Sequence, residues 1–188
     1  NTIGLIISSA YLVLTMANKA YVNSQFAASL KQQGIEYVDI DSRPTPFNNL
    51  LWSANAETKG GFHIGYYSVL DNQWPIDFDY FPKRHQLLPE GAKETPLMQK
   101  LIRITQGNYI VREGERGDNL QLYDLRFGQL AGWLPSAQYP RANSFIFAYQ
   151  LDPNVIARGQ ASGIKRAEPE FEQAEGLLVK FWERLKGV

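Results

Sequence analysis

The chain has 188 residues, 44% hydrophobic and 20% charged, which suits one core, or one domain with an appended element, and excludes disordered, collagen-like and coiled-coil classes. Nineteen Lys and Arg balance nineteen Asp and Glu, so no bulk field recruits nucleic acid. No cysteine is present, which excludes disulfides, thiolate zinc sites, CxxC redox chemistry and a cysteine nucleophile.

Residues 1–18 carry no charge, and the run Ile3-Gly4-Leu5-Ile6-Ile7 with Tyr11-Leu12-Val13-Leu14 is apolar all round. A helix of that kind is buried somewhere. Two readings fit: a central core helix, since the strictly apolar run is shorter than the roughly 20 residues of a membrane span, or the trimmed end of a membrane helix. From Lys19 the pattern turns amphipathic, with Val22, Phe26 and Leu30 at helical spacing and Gly34 as a left-handed stop. About thirty helical residues at ~1.5 Å each give a rod of ~45 Å, so its front end is expected to protrude. No positive flank marks a signal peptide.

After Gly34 the period becomes two, and the expected class is α+β: a long N-terminal helix (1–34), a mostly antiparallel sheet domain (35–152) of about five to seven strands, and a loop with a C-terminal helix (153–188). Candidate strands are 36–41, 50–57, 62–66, 108–113, 120–127 and 145–151. In the second, Leu50, Trp52, Ala54 and Ala56 share one face, and Thr58-Lys59-Gly60-Gly61 connects it as a hairpin to Phe62, Ile64 and Tyr66. Gly114 to Asn119 reads as a second hairpin turn, and 152–168 as an aperiodic mobile loop. An inserted helix, 95–106, has Thr95 as N-cap, Pro96 first, a Leu97, Leu101, Ile104 stripe, and Gly107 past its end. Pro169 opens a last helix with Phe171, Ala174, Leu178, Phe181 and Leu185 as its buried stripe.

Chemistry-bearing residues are few. His63 and His85 are the two histidines, and neither has the helical partner of an HExxH site. His63 reads as a hydrogen-bonded structural histidine and His85, in Pro82-Lys83-Arg84-His85, as a solvated loop residue. Asp39 with Asp41, and Asp77 with Asp79, each put two carboxylates on one face of an extended segment, roughly 7 Å apart by strand rise. Such pairs suit a hard cation or acid/base work, but wet faces of edge strands are the preferred reading. Asp124 and Arg126 alternate with Leu125 and Phe127. Arg126 suits bidentate grip on an anion, or the pair locks Arg43 or Asn48 near the Pro44-Thr45-Pro46 turn. The candidate polar cluster is therefore Arg43, Asn48, Asn49, Tyr66, Tyr67, Asp124 and Arg126. Phosphate loops, GxGxxG and GxSxG are absent, and the aromatics interleave with strands as core.

One ordered set of motifs exceeds generic pattern: Arg43-Pro44-Thr45-Pro46-Phe47-Asn48-Asn49-Leu50-Leu51-Trp52, Gly65-Tyr66-Tyr67-Ser68-Val69-Leu70-Asp71, Gly107-Asn108-Tyr109 and Asp124-Leu125-Arg126-Phe127-Gly128. In order and spacing these resemble the C-terminal soluble region of the YdjM-like family of bacterial inner-membrane proteins, called membrane-bound metal-dependent hydrolases. The resemblance spans roughly Leu5 to Tyr149. It implies membrane spans before this region that bear the histidine motifs of the family name, with Ile3 to Met16 the tail of the last span. It also implies inner-membrane localisation without fixing a side, and a divalent metal in the full-length protein with none in this chain. The expected function is an extramembrane accessory or binding domain without catalysis of its own. Alternatives are an enzyme half-site completing a metal centre with the membrane helices, and a regulatory protein-interaction module. Self-association through Ile3 to Leu14 is also expected.

Overall fold

A computed structural model describes residues 2–114, 117, 119–134, 145–160, 163–167 and 176–187. The chain divides into two compact units, residues 1–80 with 178–188, and residues 81–177. The class is α+β, as expected. Among the described residues the strands number eight, in two four-stranded antiparallel sheets rather than one. The break falls where two 3-10 turns and a helix follow the fourth strand, so that no hairpin returns the chain to its edge.

The first unit begins with α1 (Thr2–Gln32), closed by Gly34 at φ 69°. It continues through β1 (Asp39–Pro44), β2 (Leu51–Glu57), β3 (Gly61–Ser68) and β4 (Phe78–Pro82), in spatial order β1-β2-β3-β4. The first strand lies three residues later than its predicted span of 36–41. Pro44 can end it because β1 is an edge strand and needs no donor on its outer side. The β2–β3 hairpin holds as predicted, with Thr58 N donating to Gly61 O at 2.8 Å. Leu50 does not join the Trp52 face: it precedes the strand and is exposed, because Asn48 Oδ1 accepts from the Leu50 and Leu51 amides and holds both in a turn.

Register pairs Ser42 with Ala54, Ala54 with Gly65 and Trp52 with Tyr67, which aligns small and aromatic side chains under the second half of α1. Val22 and Phe26 pack there with Trp52, Ala54, Tyr67 and Ile76. A Cβ on Gly65 would lie 2.7 Å from the Phe78 ring. Its absence lets that ring come within 6.2 Å of Phe26, which also meets Tyr67 edge-on at 6.0 Å. Each such fully buried side chain contributes about 1.5–3 kcal/mol.

The second unit has α2 (Pro96–Thr105), then the meander β5 (Tyr109–Glu113), β6 (Leu120–Gln129), β7 (Phe145–Leu151) and β8 (Ile164–Ala167). The inserted helix starts and stops as predicted, with Thr95 Oγ1 capping Met98 N, Pro96 leading, and Gln106 and Gly107 left-handed at the end. Its buried face, however, is Met98, Leu101 and Thr105 in place of the expected Leu97, Leu101, Ile104 stripe, and Ile104 is exposed. Met98 and Leu101 close a core with Tyr109, Val111, Leu122, Leu151 and Ile156.

The stretch predicted as a loop contains α3 (Pro153–Ile156) and β8, which pairs with β7. Asp152, whose carboxylate accepts from the Asn154 and Val155 amides, and Pro153 form a cap-plus-proline start. Four residues of β8 are too few to show a period. The last helix, α4, is described from Leu177 to Leu185, and its predicted start with Phe171 and Ala174 lies outside the described residues. Leu178, expected in the buried stripe, is exposed, while Leu185 is buried. The inward row is Leu177, Phe181, Leu185, a spacing of four that leaves Leu178 a quarter-turn off it.

Candidate functional site

The two halves of α1 have opposite surroundings. From Asn18 onward the helix is tied to the sheet at intervals. Asn18 Nδ2 donates to Asn49 O, and Ser42 Oγ donates to Asn23 Oδ1. Ser29 Oγ accepts from Ile76 N at 2.8 Å, and Gln33 Nε2 donates to Ile76 O at 2.8 Å. Val22, Phe26 and Leu30 are all wholly buried.

Ahead of Asn18 the side chains meet solvent all round: Leu5 is 68% and Leu12 61% exposed, and Ile3, Ile6, Ile7, Val13, Leu14 and Met16 are exposed with them. Thr2–Gln32 is long and apolar enough to cross a membrane, and none of its most apolar window is buried. Two hydroxyls of its front half bond back to their own helix, Ser8 Oγ donating to Leu5 O at 3.0 Å and Thr15 Oγ1 to Leu12 O at 2.8 Å. Such back-bonding satisfies polar groups where no water is available.

The residues of the predicted polar cluster in the first unit make both local and long-range ties. Asn48 knots the turn before β2: Nδ2 donates to Thr45 Oγ1 at 2.6 Å and Thr45 O at 3.1 Å, while Oδ1 holds Leu50 and Leu51. Asn49 O accepts from Trp52 Nε1 as well as from Asn18. Arg43 pairs with Asp41, and with both side chains nearly half exposed the pair contributes at most about 1 kcal/mol. Tyr67 is buried, its hydroxyl 3.4 Å from that of Tyr21, and burial pushes its pKa up. Tyr66 O accepts from Arg184, whose guanidinium also clasps Asp71. That last tie joins residues 113 apart in sequence, a separation no local pattern signals.

Asp124 and Arg126 close on each other. Asp124 is 1% exposed and accepts from Arg126 N at 3.0 Å, Nε at 3.0 Å and Nη2 at 2.7 Å. The hydrogen bond to Asp124 holds the Arg126 pKa above its usual value. The pair sits at the edge of the stretch where β6 slips register against β7, between Asp124 and Gln129.

Both histidine expectations change. His63 Nδ1 is buried without a hydrogen-bond partner, its ring 4.9 Å from Tyr80, and burial lowers its pKa. His85 is not a solvated loop residue: its ring stacks on Tyr109 at 4.1 Å and its Nε2 lies 3.0 Å from Tyr109 O. Arg84, left-handed at φ 48°, starts the 3-10 turn that sets it there. Asp39 is exposed on the edge strand β1, and Asp77 lies before β4 while Asp79 is within it.

Among the described residues no group of three or more His, Cys, Asp or Glu side chains gathers to hold a metal ion. A shallow groove of about 780 Å³ beside Lys31, Ile35, Glu36 and Tyr37 has no buried polar group aimed into it. Among the described residues the front half of α1 is a long run of exposed apolar side chains, which defines a domain with a helical apolar extension. No family model, curated protein or solved structure matches the chain.

Proposed function

We propose that this chain is the extramembrane domain of a membrane protein, held to the bilayer by the first half of α1. The carrying observation is the exposure of Leu5, Ile7, Leu12 and Leu14 on a helix whose later Val22, Phe26, Ser29 and Leu30 are buried. Some eighteen uncharged residues at ~1.5 Å rise reach ~27 Å, close to the ~30 Å hydrocarbon core, and Lys19 is the first charge. The resemblance of Arg43 to Trp52 and Asp124 to Gly128 to the YdjM-like family supports the finer reading: a bacterial inner-membrane protein whose earlier helices carry the metal chemistry, with this domain in an accessory role. Asp124 and Arg126, engaged with each other, support a structural rather than a catalytic part for the candidate cluster.

Flotation with phosphatidylcholine and phosphatidylglycerol vesicles tests this. The wild-type chain floats, and the Ile7→Lys, Leu12→Lys double variant stays in the dense fraction with unchanged circular dichroism, since each lysine costs about 2.5–3.5 kcal/mol at a membrane helix centre. Equal flotation of both proteins overturns the reading.

A further inference from the structure

We infer that a second membrane contact, formed by Phe47, Leu50 and Leu70 at one end of the first sheet, seats the domain against the lipid interface. The inference rests on anchoring by α1 and specifies how the domain meets the surface. Two contacts fix the level. The hydroxyls of Tyr21 and Tyr67 meet at 3.4 Å, and one helical turn toward the N-terminus Asn18 Nδ2 reaches Asn49 O. Climbing α1 toward its uncharged half is therefore climbing the sheet from Tyr67 and Trp52 toward Asn49.

Past the last β2–β3 rung, Leu51 with Ser68, the chain presents Leu50, 41% exposed, Leu70, 49% exposed, and Phe47 at 108% of its reference area. Val69 N donates to Leu50 O, which keeps the two turns adjacent. Phe47 and Leu50 flank or lie near Asn49, which Asn18 reaches, and Leu70 follows the Val69 amide bonded to Leu50 O, so the three stand at the level where the bare part of the helix begins.

Phe47 is the sharpest of the three. Its φ of 61° is left-handed, a conformation a bulky residue rarely adopts and one that gathers at functional positions. The Asn48 knot holds the turn, so the aromatic ring stays outside with no intramolecular gain. The last turn of α4 is at the same rung, where Ser68 Oγ donates to Leu185 O at 2.7 Å. One turn earlier Trp182 is exposed with Lys186 Nζ 5.2 Å from its ring centre. Tryptophan with lysine is interfacial chemistry. At the opposite end the β2–β3 turn, Thr58-Lys59-Gly60, is polar, and Tyr37 and Val38 are exposed beside Glu57.

Because the chain has no cysteine, single-cysteine variants of the full chain report depth directly. An environment-sensitive NBD probe is placed on Leu12→Cys, Phe47→Cys, Leu70→Cys and Lys59→Cys, each in phosphatidylcholine and phosphatidylglycerol vesicles carrying nitroxide-labelled lipids. Shallow nitroxides are expected to remove more than half of the emission at positions 47 and 70 and almost none at 59, with position 12 quenched by deep nitroxides. Quenching at 12 with 47 and 70 no different from 59 overturns this contact while anchoring stands. Loss of quenching at 12 as well overturns both. Efficient intermolecular disulfide cross-linking of the unlabelled Phe47→Cys or Leu70→Cys chain, with none for Lys59→Cys, assigns the patch to a second copy and also overturns it.

Discussion

One helix of the first unit supplies both fully buried and widely exposed apolar residues. Phe26 is fully buried against Trp52, Ala54 and Tyr67, and Leu12, fourteen residues earlier, is 61% exposed. Apolar character alone therefore does not decide burial. What decides it is whether the sheet offers complementary small and aromatic positions, and the polar ties at Asn18, Asn23, Ser29 and Gln33 mark where that offer begins. Ahead of Asn18 the apolar surface contributes nothing to the fold and must find burial elsewhere.

The contrast is broken most severely at Phe26. Phe26→Ala is expected to destabilise the domain by about 3–5 kcal/mol, read as a lower denaturant midpoint in detergent, whereas Leu12→Ala leaves the midpoint in place. A comparable midpoint loss from Leu12→Ala would show that the front half belongs to a core after all. Next in size, Asp124→Ala removes a charged acceptor of three hydrogen bonds and should cost about 2 kcal/mol. Arg126 remains partly open to water, so the effect stays below that of a fully buried broken pair. Unchanged stability would return the pair to consideration as a ligand site.

Asn48→Ala unties the turn that presents Phe47, at about 1 kcal/mol, and hydrogen exchange of the Leu50 and Leu51 amides should rise with it. The smallest effect is a pH dependence at His63. Burial favours its neutral form, so the folded pKa lies below the unfolded one and the unfolded chain binds more protons between them. Stability from this group is complete above the ordinary histidine value and falls as pH drops toward the folded pKa. His63→Gln should flatten that acid-side slope, and an identical slope in the variant would assign it to other groups.

Much of the architecture was legible where local chemistry is strong. Gly34, the Thr95-Pro96 start and the Thr58 to Gly61 hairpin all behave as their sequence signals require. The α3 start was equally legible in Asp152-Pro153 but hidden by the short, aperiodic stretch around it. Two sheets in place of one were not legible, because period-two patterning says that strands exist without saying which edge each one joins. The candidate cluster shows the same limit. Alternation correctly puts Asp124 and Arg126 on one side of β6, yet side chains two apart on one strand can satisfy each other, as these two do. Arg184 on Asp71 and the left-handed, outward Phe47 had no sequence signal at all.

The most direct test of the account removes residues 1–18 and asks two questions of the same sample. Residues 19–188 should keep the denaturant midpoint of the full chain and lose co-flotation with phosphatidylcholine and phosphatidylglycerol vesicles. A truncated protein that unfolds early, or that floats as the full chain does, would contradict the division of α1 into a seated half and a lipid-facing half.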